Sequence, residues 1–191
     1  MSKGRLEAFS DGVFAIIITI MVLELTPPRG PDLTALVVVL PTLVSYVLSF
    51  TLAAIYWNNH HHLLQAAQHV DGRVLWANLH LLFWLSLIPF ATAWMGRTNF
   101  APWPVAIYGL VQFLAGGAYY LLTRALIALH GGASTLARAV GRDVKGRMSL
   151  AIYAAALLVV FVNATLAFAL YMVVAVLWFL PDRRIEKALG R

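Results

Sequence analysis

The stretch RLEAFSDGVFAIIITIMVLEL, residues 5–25, combines a polar start with a long apolar run. About 20 apolar helical residues are enough to cross a bilayer. A charged or polar side chain in such a run is costly unless it faces protein, water or a partner rather than lipid. The stretch therefore predicts a membrane helix whose Ser10 and Asp11 turn toward neighbouring helices of the same chain.

The composition of the whole chain supports a membrane setting. Of its 191 residues, 61% are hydrophobic and only 12% are charged, and the mean hydropathy is +0.80. These values exclude an ordinary soluble domain. The net charge of +6 comes from short basic clusters between apolar runs, which indicates membrane topology rather than nucleic-acid binding. Cysteine is absent, which excludes disulfides, thiolate nucleophiles and cysteine metal sites.

The apolar runs predict an all-α integral membrane protein with a single transmembrane domain over residues 1–191. Proline, glycine and polar segments separate the runs, and NNHHHLLQAAQHVDGR is predicted to be a polar amphipathic connection. The last run is long for one crossing and short for two, and the polar pair Asn163 and Thr165 predicts a bend between two short helices. The six predicted helices cover about residues 8–26, 33–57, 74–96, 103–129, 148–163 and 165–181.

The distribution of basic residues decides the orientation. With six crossings and a cytoplasmic amino terminus, twelve of the 14 Lys and Arg residues lie inside, and only Arg29 and Arg97 lie outside. Cytoplasmic loops are enriched in these residues. We therefore expect both termini in the cytoplasm and a multi-pass protein of the plasma membrane of a prokaryote.

A helical wheel separates two faces of the first helix. With about 100° per residue and Arg5 at zero, four residues fall between about 320° and about 60°. These are Ile16, Thr19, Ile20 and Leu23. Ser10 falls at about 140° and Asp11 at about 240°, away from this stripe. We expect Ser10 and Asp11 to find hydrogen-bond partners in the second and third helices. There YWNNHHHLL supplies Trp57, Asn58 and the histidines at 60–62, and LWANLHLLFWLSLIPF supplies Asn78, His80 and Trp84.

The same residues resemble a known family. The stretch Arg5 to Asp11 matches the R-x-x-x-F-S-D signature of the transmembrane protein 175 family of cation channels, and the segments around residues 56–63 and 78–90 are similar to that family's second and third helices. The resemblance covers residues 5–90. It implies a structural network at the signature, made by Arg5, Phe9, Ser10, Asp11, Asn78, His80 and Trp84.

The resemblance also implies a function. A family member of this length is expected to be a potassium-permeable channel, a homotetramer of six-helix subunits in which the first helices line a central pore. By position, Ile16 corresponds to the constriction, Thr19 to a hydroxyl layer, and Ile20 and Leu23 to further apolar rings. No cofactor is implied; the K⁺ ion is the permeant species, and membrane lipid is the other partner. No T-V-G-Y-G filter occurs in this chain.

Other interpretations of single residues stay open. Glu24 either concentrates cations at the outer mouth or is a solvated charge at a helix end. His60, His61 and His62 diverge on a helix and cannot converge on one metal ion. His62 and His69 share a face, so a metal site with Asp71 or His80 is a minor alternative to interfacial or core histidines.

Rival functions have less support in the sequence. A secondary transporter typically has repeats and paired broken helices, and the prolines within the runs have no counterparts. A membrane metalloenzyme needs spaced ligands such as H-E-x-x-H, which are missing, so we do not expect an enzyme. A transporter or a proton-conducting protein that uses Asp11 and His80 is the alternative to a potassium channel.

Overall fold

A computed structural model describes residues 2–132, 134–140 and 143–179. All regular structure in these residues is helical. The helices are α1 (Lys3–Leu23), α2 (Leu33–Ala66), α3 (Gly72–Ser86), α4 (Ile88–Arg97), α5 (Pro102–His130), α6 (Thr135–Val140), α7 (Val144–Val159) and α8 (Ala164–Phe179).

Four segments of the described chain are long and apolar enough to cross a membrane. They are Lys3–Leu23, Leu33–Ala66, Gly72–Arg97 and Pro102–His130. The third segment contains α3 and α4 in succession, and α8 is a shorter apolar helix of 16 residues. The expectation of an all-helical membrane protein is therefore confirmed, whereas the crossings by α7 and α8 and the side of each terminus stay predictions.

Local chemistry explains where several helices begin and end. Asp71 caps α3 by accepting a hydrogen bond from the Val74 amide at 2.9 Å. Pro89 has no N–H to donate to the preceding turn, and the helix is interrupted at Leu87, between α3 and α4. Gly131 follows α5 with φ +84°, a conformation that favours glycine.

The second helix is longer than the sequence predicted. We expected it to end near residue 57, but α2 continues to Ala66, and only residues 67–71 connect it to α3. Asn58, Asn59 and the histidines at 60–62 were therefore wrongly assigned to a connection, whereas His69 does lie in one. The burial of His60, Leu63 and Leu64 explains the difference, because these residues continue the packed face of the helix.

Other boundaries differ less. The first helix begins at Lys3 rather than near residue 8, and the predicted third helix is divided at Leu87. The long polar connection after α5 contains the short helix α6. The bend predicted at Asn163 and Thr165 is present between α7 and α8, with Thr165 already inside α8. Asn163 Oδ1 accepts a hydrogen bond from the Leu166 amide at 2.9 Å and caps the start of α8.

Helix α5 is central to the packing, with α3, α4 and α7 against it, while α1 packs on α2, α3 and α4. A buried polar chain joins three of these helices. Thr92 Oγ1 donates to Ser49 Oγ at 2.7 Å, and Ser49 Oγ donates to the Tyr108 hydroxyl at 3.1 Å. This network links α4, α2 and α5, and α1 packs against two of these helices, α2 and α4.

Candidate ion-conduction site

Helix α1 has one buried face and one exposed face. Its buried residues are Leu6, Ser10, Phe14, Ile17 and Met21. On the wheel they lie between about 100° and about 180°, and the predicted stripe lies on the opposite side. Within one protomer the exposed fractions are 59% for Ile16, 42% for Ile20 and 75% for Leu23, and Thr19 is also exposed. The orientation of α1 thus leaves the aliphatic stripe uncovered by its own subunit.

A buried hydrogen-bond network fixes this orientation. Ser10 Oγ donates to the Leu6 carbonyl at 2.8 Å and accepts from Asn78 Nδ2 at 2.9 Å. Asn78 Oδ1 lies 2.7 Å from His60 Nε2. Because the amide oxygen only accepts, the imidazole nitrogen donates. Helices α1, α3 and α2 are therefore joined through three buried side chains.

Asp11 makes its contact with α2 at the edge of this network. Its Oδ1 accepts a hydrogen bond from Trp57 Nε1 at 2.9 Å, and both side chains are exposed in the protomer. The Trp57 ring stacks on His61 with 5.9 Å between ring centroids. Asp11 therefore has a partner on the second helix, as we expected. Contrary to expectation, its carboxylate is exposed rather than buried.

The structure does not bring all of the predicted network together. The side chains of Arg5 and Phe9 are exposed, and the Arg5 guanidinium forms no hydrogen bond or ion pair with any described residue. His80 accepts from Trp84 Nε1 at 2.9 Å on the exposed side of α3, apart from Asn78. These four residues thus lie outside the buried network. For His80 and its partner Trp84 the cause is the i, i+2 spacing of Asn78 and His80, which places those two residues on different faces of one helix.

His60 was missing from the predicted site. The sequence grouped it with His61 and His62 as interfacial or core histidines and left it out of the predicted network, and it is buried and shares a hydrogen bond with Asn78. Its ring also lies 5.6 Å from that of Phe14, centroid to centroid. The signal that identifies it is the inward periodicity of α2 continued beyond Trp57.

The remaining histidines make local contacts. His130 Nε2 accepts from the Gln68 amide at 3.0 Å, and its ring lies 4.7 Å from that of His69. Among the residues that the structure describes, no group of three or more His, Cys, Asp or Glu side chains is arranged to hold a metal ion. His69 therefore packs against α5 rather than joining His62.

Glu24 lies at the opposite end of α1 from the signature. Its Oε2 accepts a hydrogen bond from Arg97 Nη2 at 2.6 Å, and the pair is an ion pair between the ends of α1 and α4. Neither sequence interpretation of Glu24 included a partner.

The chain is similar to several known proteins. The model of the family described as endosomal/lysosomal potassium channel TMEM175 matches residues 5–89. A protein named potassium channel from Chryseobacterium sp. is 49% identical over 99% of this chain and 98% of its own. The chain belongs to the TMEM175 family.

More distant TMEM175 relatives extend the likeness. The crystal structure of a lysosomal potassium-selective channel TMEM175 homolog from Chamaesiphon minutus superposes with a TM-score of 0.81, at 26% identity, over 93% of this chain and 96% of that one. A zebrafish relative named endosomal/lysosomal proton channel TMEM175 is 27% identical over 68% of this chain and 25% of its own. The chain is thus a TMEM175-family multi-pass membrane protein.

Proposed function

We propose that this protein is a potassium-permeable cation channel that conducts passively through a central pore. The observation that carries the proposal is the full-length similarity to a TMEM175 relative named potassium channel. The superposition on a potassium-selective homolog over nearly the whole of both chains adds to it. Members with these names are ion channels, so we propose neither an enzymatic activity nor a cofactor.

The proposed pore is lined by α1 from each of four identical subunits. Its support is the stripe of Ile16, Thr19, Ile20 and Leu23, which is exposed in the protomer while the opposite face is buried. A helix face that its own subunit leaves open is covered by lipid, by another subunit or by water. Thr19 distinguishes these cases only weakly, because its hydroxyl donates to the Ala15 carbonyl at 2.8 Å and so hides its proton from lipid.

In this proposal Ile16 forms the constriction. Four isoleucine side chains around an axis disfavour a continuous water column, and such a constriction gates by dewetting. A permeating cation must shed part of its hydration shell there. K⁺ holds its water less tightly than Na⁺, so partial dehydration favours K⁺.

The buried network of Ser10, Asn78 and His60 has a scaffolding role in this mechanism. It joins α1 to α2 and α3 at the end where the signature lies. Unpartnered buried polar groups are costly, so the helix resists rotation about its axis. The network thereby keeps the aliphatic stripe directed away from the subunit and toward the proposed axis.

The proposed topology has six crossings with both termini in the cytoplasm of a prokaryotic cell. Its support is the clustering of basic residues at one end of the bundle, next to the start of α1 and the end of α5. Helices α7 and α8 have 16 residues each, so the bilayer must thin or the helices must be flanked by interfacial residues.

Proton conduction is a second candidate, favoured by the vertebrate TMEM175 relatives that are named proton channels. The proposed relay residues Asp11 and His80 share no hydrogen bond or ion pair in the described chain, and each is bonded to a different tryptophan. A continuous proton path between them would therefore need intervening water.

Flux from liposomes tests the proposal. Purified protein in vesicles with an outward K⁺ gradient should release K⁺ when a protonophore balances the charge, and valinomycin in empty vesicles gives the full signal. Coupling of K⁺ movement to an obligatory second solute would indicate a transporter instead. Acidification driven by a proton gradient in the absence of K⁺ would favour the second candidate.

A further inference from the structure

The outer end of the proposed pore has an ion pair beside the stripe. Glu24 follows α1 directly. On the wheel it lies at about 100°, at the boundary between the buried face and the stripe, where Ile20 at about 60° is the nearest stripe residue. Arg97 is the last residue of α4, and its Nη2 lies 2.6 Å from Glu24 Oε2. The pair joins residues 73 positions apart, so it depends on the packing of α1 against α4.

Both side chains lie partly in water rather than deep in the protein. Their exposed fractions are 56% for Arg97 and 40% for Glu24. An exposed ion pair contributes little to stability. The pair matters more for the electrostatic potential around Glu24 than for stability, because a guanidinium at hydrogen-bond distance cancels most of the field of a carboxylate.

The charges at this end of the bundle balance. The segments that end or begin there are residues 24–32, 97–101 and 160–163, and they contain two acidic residues, Glu24 and Asp32, and two basic ones, Arg29 and Arg97. Helix α1 also points its carboxyl end here, which carries about half a negative charge from the helix dipole. Without Arg97, Glu24 and this dipole would both attract cations to the mouth.

We infer that Arg97 neutralises Glu24 at the outer mouth and thereby limits the local concentration of cations that enters the pore. This inference rests on the proposed channel function and adds a residue that sets conductance. In a tetramer the four Glu24 carboxylates would form a ring around the axis that attracts cations. Arg97 cancels the charge of this ring. Arg97 acts through Glu24 and is a positioning residue rather than a lining one.

The test is single-channel recording in planar bilayers at two ionic strengths. Arg97→Gln should raise the inward K⁺ conductance about twofold or more at low salt, since charged mouths raise local ion concentration. At 1 M KCl, where the screening length is only about 3 Å, the difference should vanish. Glu24→Gln should lower the low-salt conductance, and the double variant E24Q/R97Q should return to the wild-type value.

Matched variants separate this role from packing and from net charge. Arg97→Lys keeps the charge and should leave conductance near that of the wild type, whereas a packing role would disturb it at both salt concentrations. Arg29→Gln removes one positive charge from the same end of the bundle, but Arg29 forms no ion pair with Glu24 among the described residues. A rise in R29Q equal to that in R97Q would overturn the inference.

The outcomes also distinguish the two proposals. A wild-type protein that conducts no K⁺ contradicts the channel function itself. A conducting wild type with unchanged low-salt conductance in R97Q contradicts only the role of Arg97. If R97Q does not assemble, the inference is still tested by E24Q, and an unchanged low-salt conductance in that variant would overturn it.

Discussion

Asn78 Nδ2 donates a hydrogen bond to Ser10 Oγ at 2.9 Å, and both side chains are fully buried. This bond lies between α3 and the face of α1 opposite the aliphatic stripe. It therefore couples a short polar signature to the direction in which four apolar residues point. The same Asn78 also contacts His60 through its other amide atom, so one side chain joins three helices.

Removing the Ser10 hydroxyl should destabilise the fold. Ser10→Ala leaves the Asn78 amide without one buried partner, which costs about 1–3 kcal/mol in the free energy of unfolding. Thermal unfolding in detergent, followed by tryptophan fluorescence, measures the change. Ser86→Ala is the control, since that hydroxyl is exposed and bonds only the Phe83 carbonyl. Equal melting temperatures of S10A and the wild type would contradict the role of the network.

Replacing two glycines by alanine should change the free energy of unfolding in opposite directions. A Cβ at Gly96 would lie 2.7 Å from Thr42 Cα, so Gly96→Ala forces α4 away from the backbone of α2. We expect a loss of about 1–3 kcal/mol from overpacking. A Cβ at Gly117 meets nothing within 4 Å, and Gly117→Ala should gain up to about 1 kcal/mol from helix propensity. Melting of both variants in the same detergent checks the sign; a G96A protein as stable as G117A would refute the close contact.

His130 should protect a loop amide from exchange. Its Nε2 accepts from the Gln68 N–H at 3.0 Å, and its Nδ1 lies 2.9 Å from the Leu126 carbonyl. His130→Ala removes the acceptor, so hydrogen exchange at residue 68 should accelerate. Mass spectrometry of the peptide over residues 64–72 reads the effect. His69→Ala, which keeps the acceptor, should leave that exchange almost unchanged, and acceleration in both variants alike would assign the protection to ring packing instead.

Replacing Ile16 at the proposed constriction by a smaller or polar residue should weaken the preference for K⁺ over Na⁺. Ile16→Ala or Ile16→Asn widens or wets the narrowest ring, so K⁺ and Na⁺ need less dehydration to pass, and the preference for K⁺ should fall. Reversal potentials under bi-ionic conditions give the permeability ratio. Val22→Ala is the matched control, because Val22 is also exposed but lies off the stripe, at about 260° on the wheel. A ratio that changes in V22A and not in the Ile16 variants would move the pore to another face.

The sequence was most informative where periodicity and burial agree. A single wheel predicted that Ser10 turns inward and that the stripe of α1 is left open by its own subunit, because a polar residue at membrane depth turns away from lipid. The same wheel was wrong for Asp11, whose side chain is exposed in the protomer. The bend between α7 and α8 was predicted from the polar pair Asn163 and Thr165 in an apolar run. The end of α2 was not, since the Asn and His residues suggested a loop, and only the tertiary burial of His60 and Leu64 makes that segment part of the helix.

Contacts between distant helices lay beyond the sequence. Nothing local to Glu24 indicates Arg97, since their meeting depends on how α1 crosses α4. The signature likewise suggested a cluster that included Arg5 and Phe9, whereas both side chains point out of the protomer. Periodicity assigns a residue to a face, but the partner on that face is set by packing.

The central claim is that the stripe of α1 faces a shared water path, and cysteine accessibility tests it most directly. The native chain has no cysteine, so a charged thiosulfonate reagent should not affect the wild-type current. Thr19→Cys and Leu23→Cys should be blocked by the reagent, while Val22→Cys, exposed on another face, and Met21→Cys, which is buried, should not. Block of V22C with unaffected currents in T19C and L23C would contradict the account.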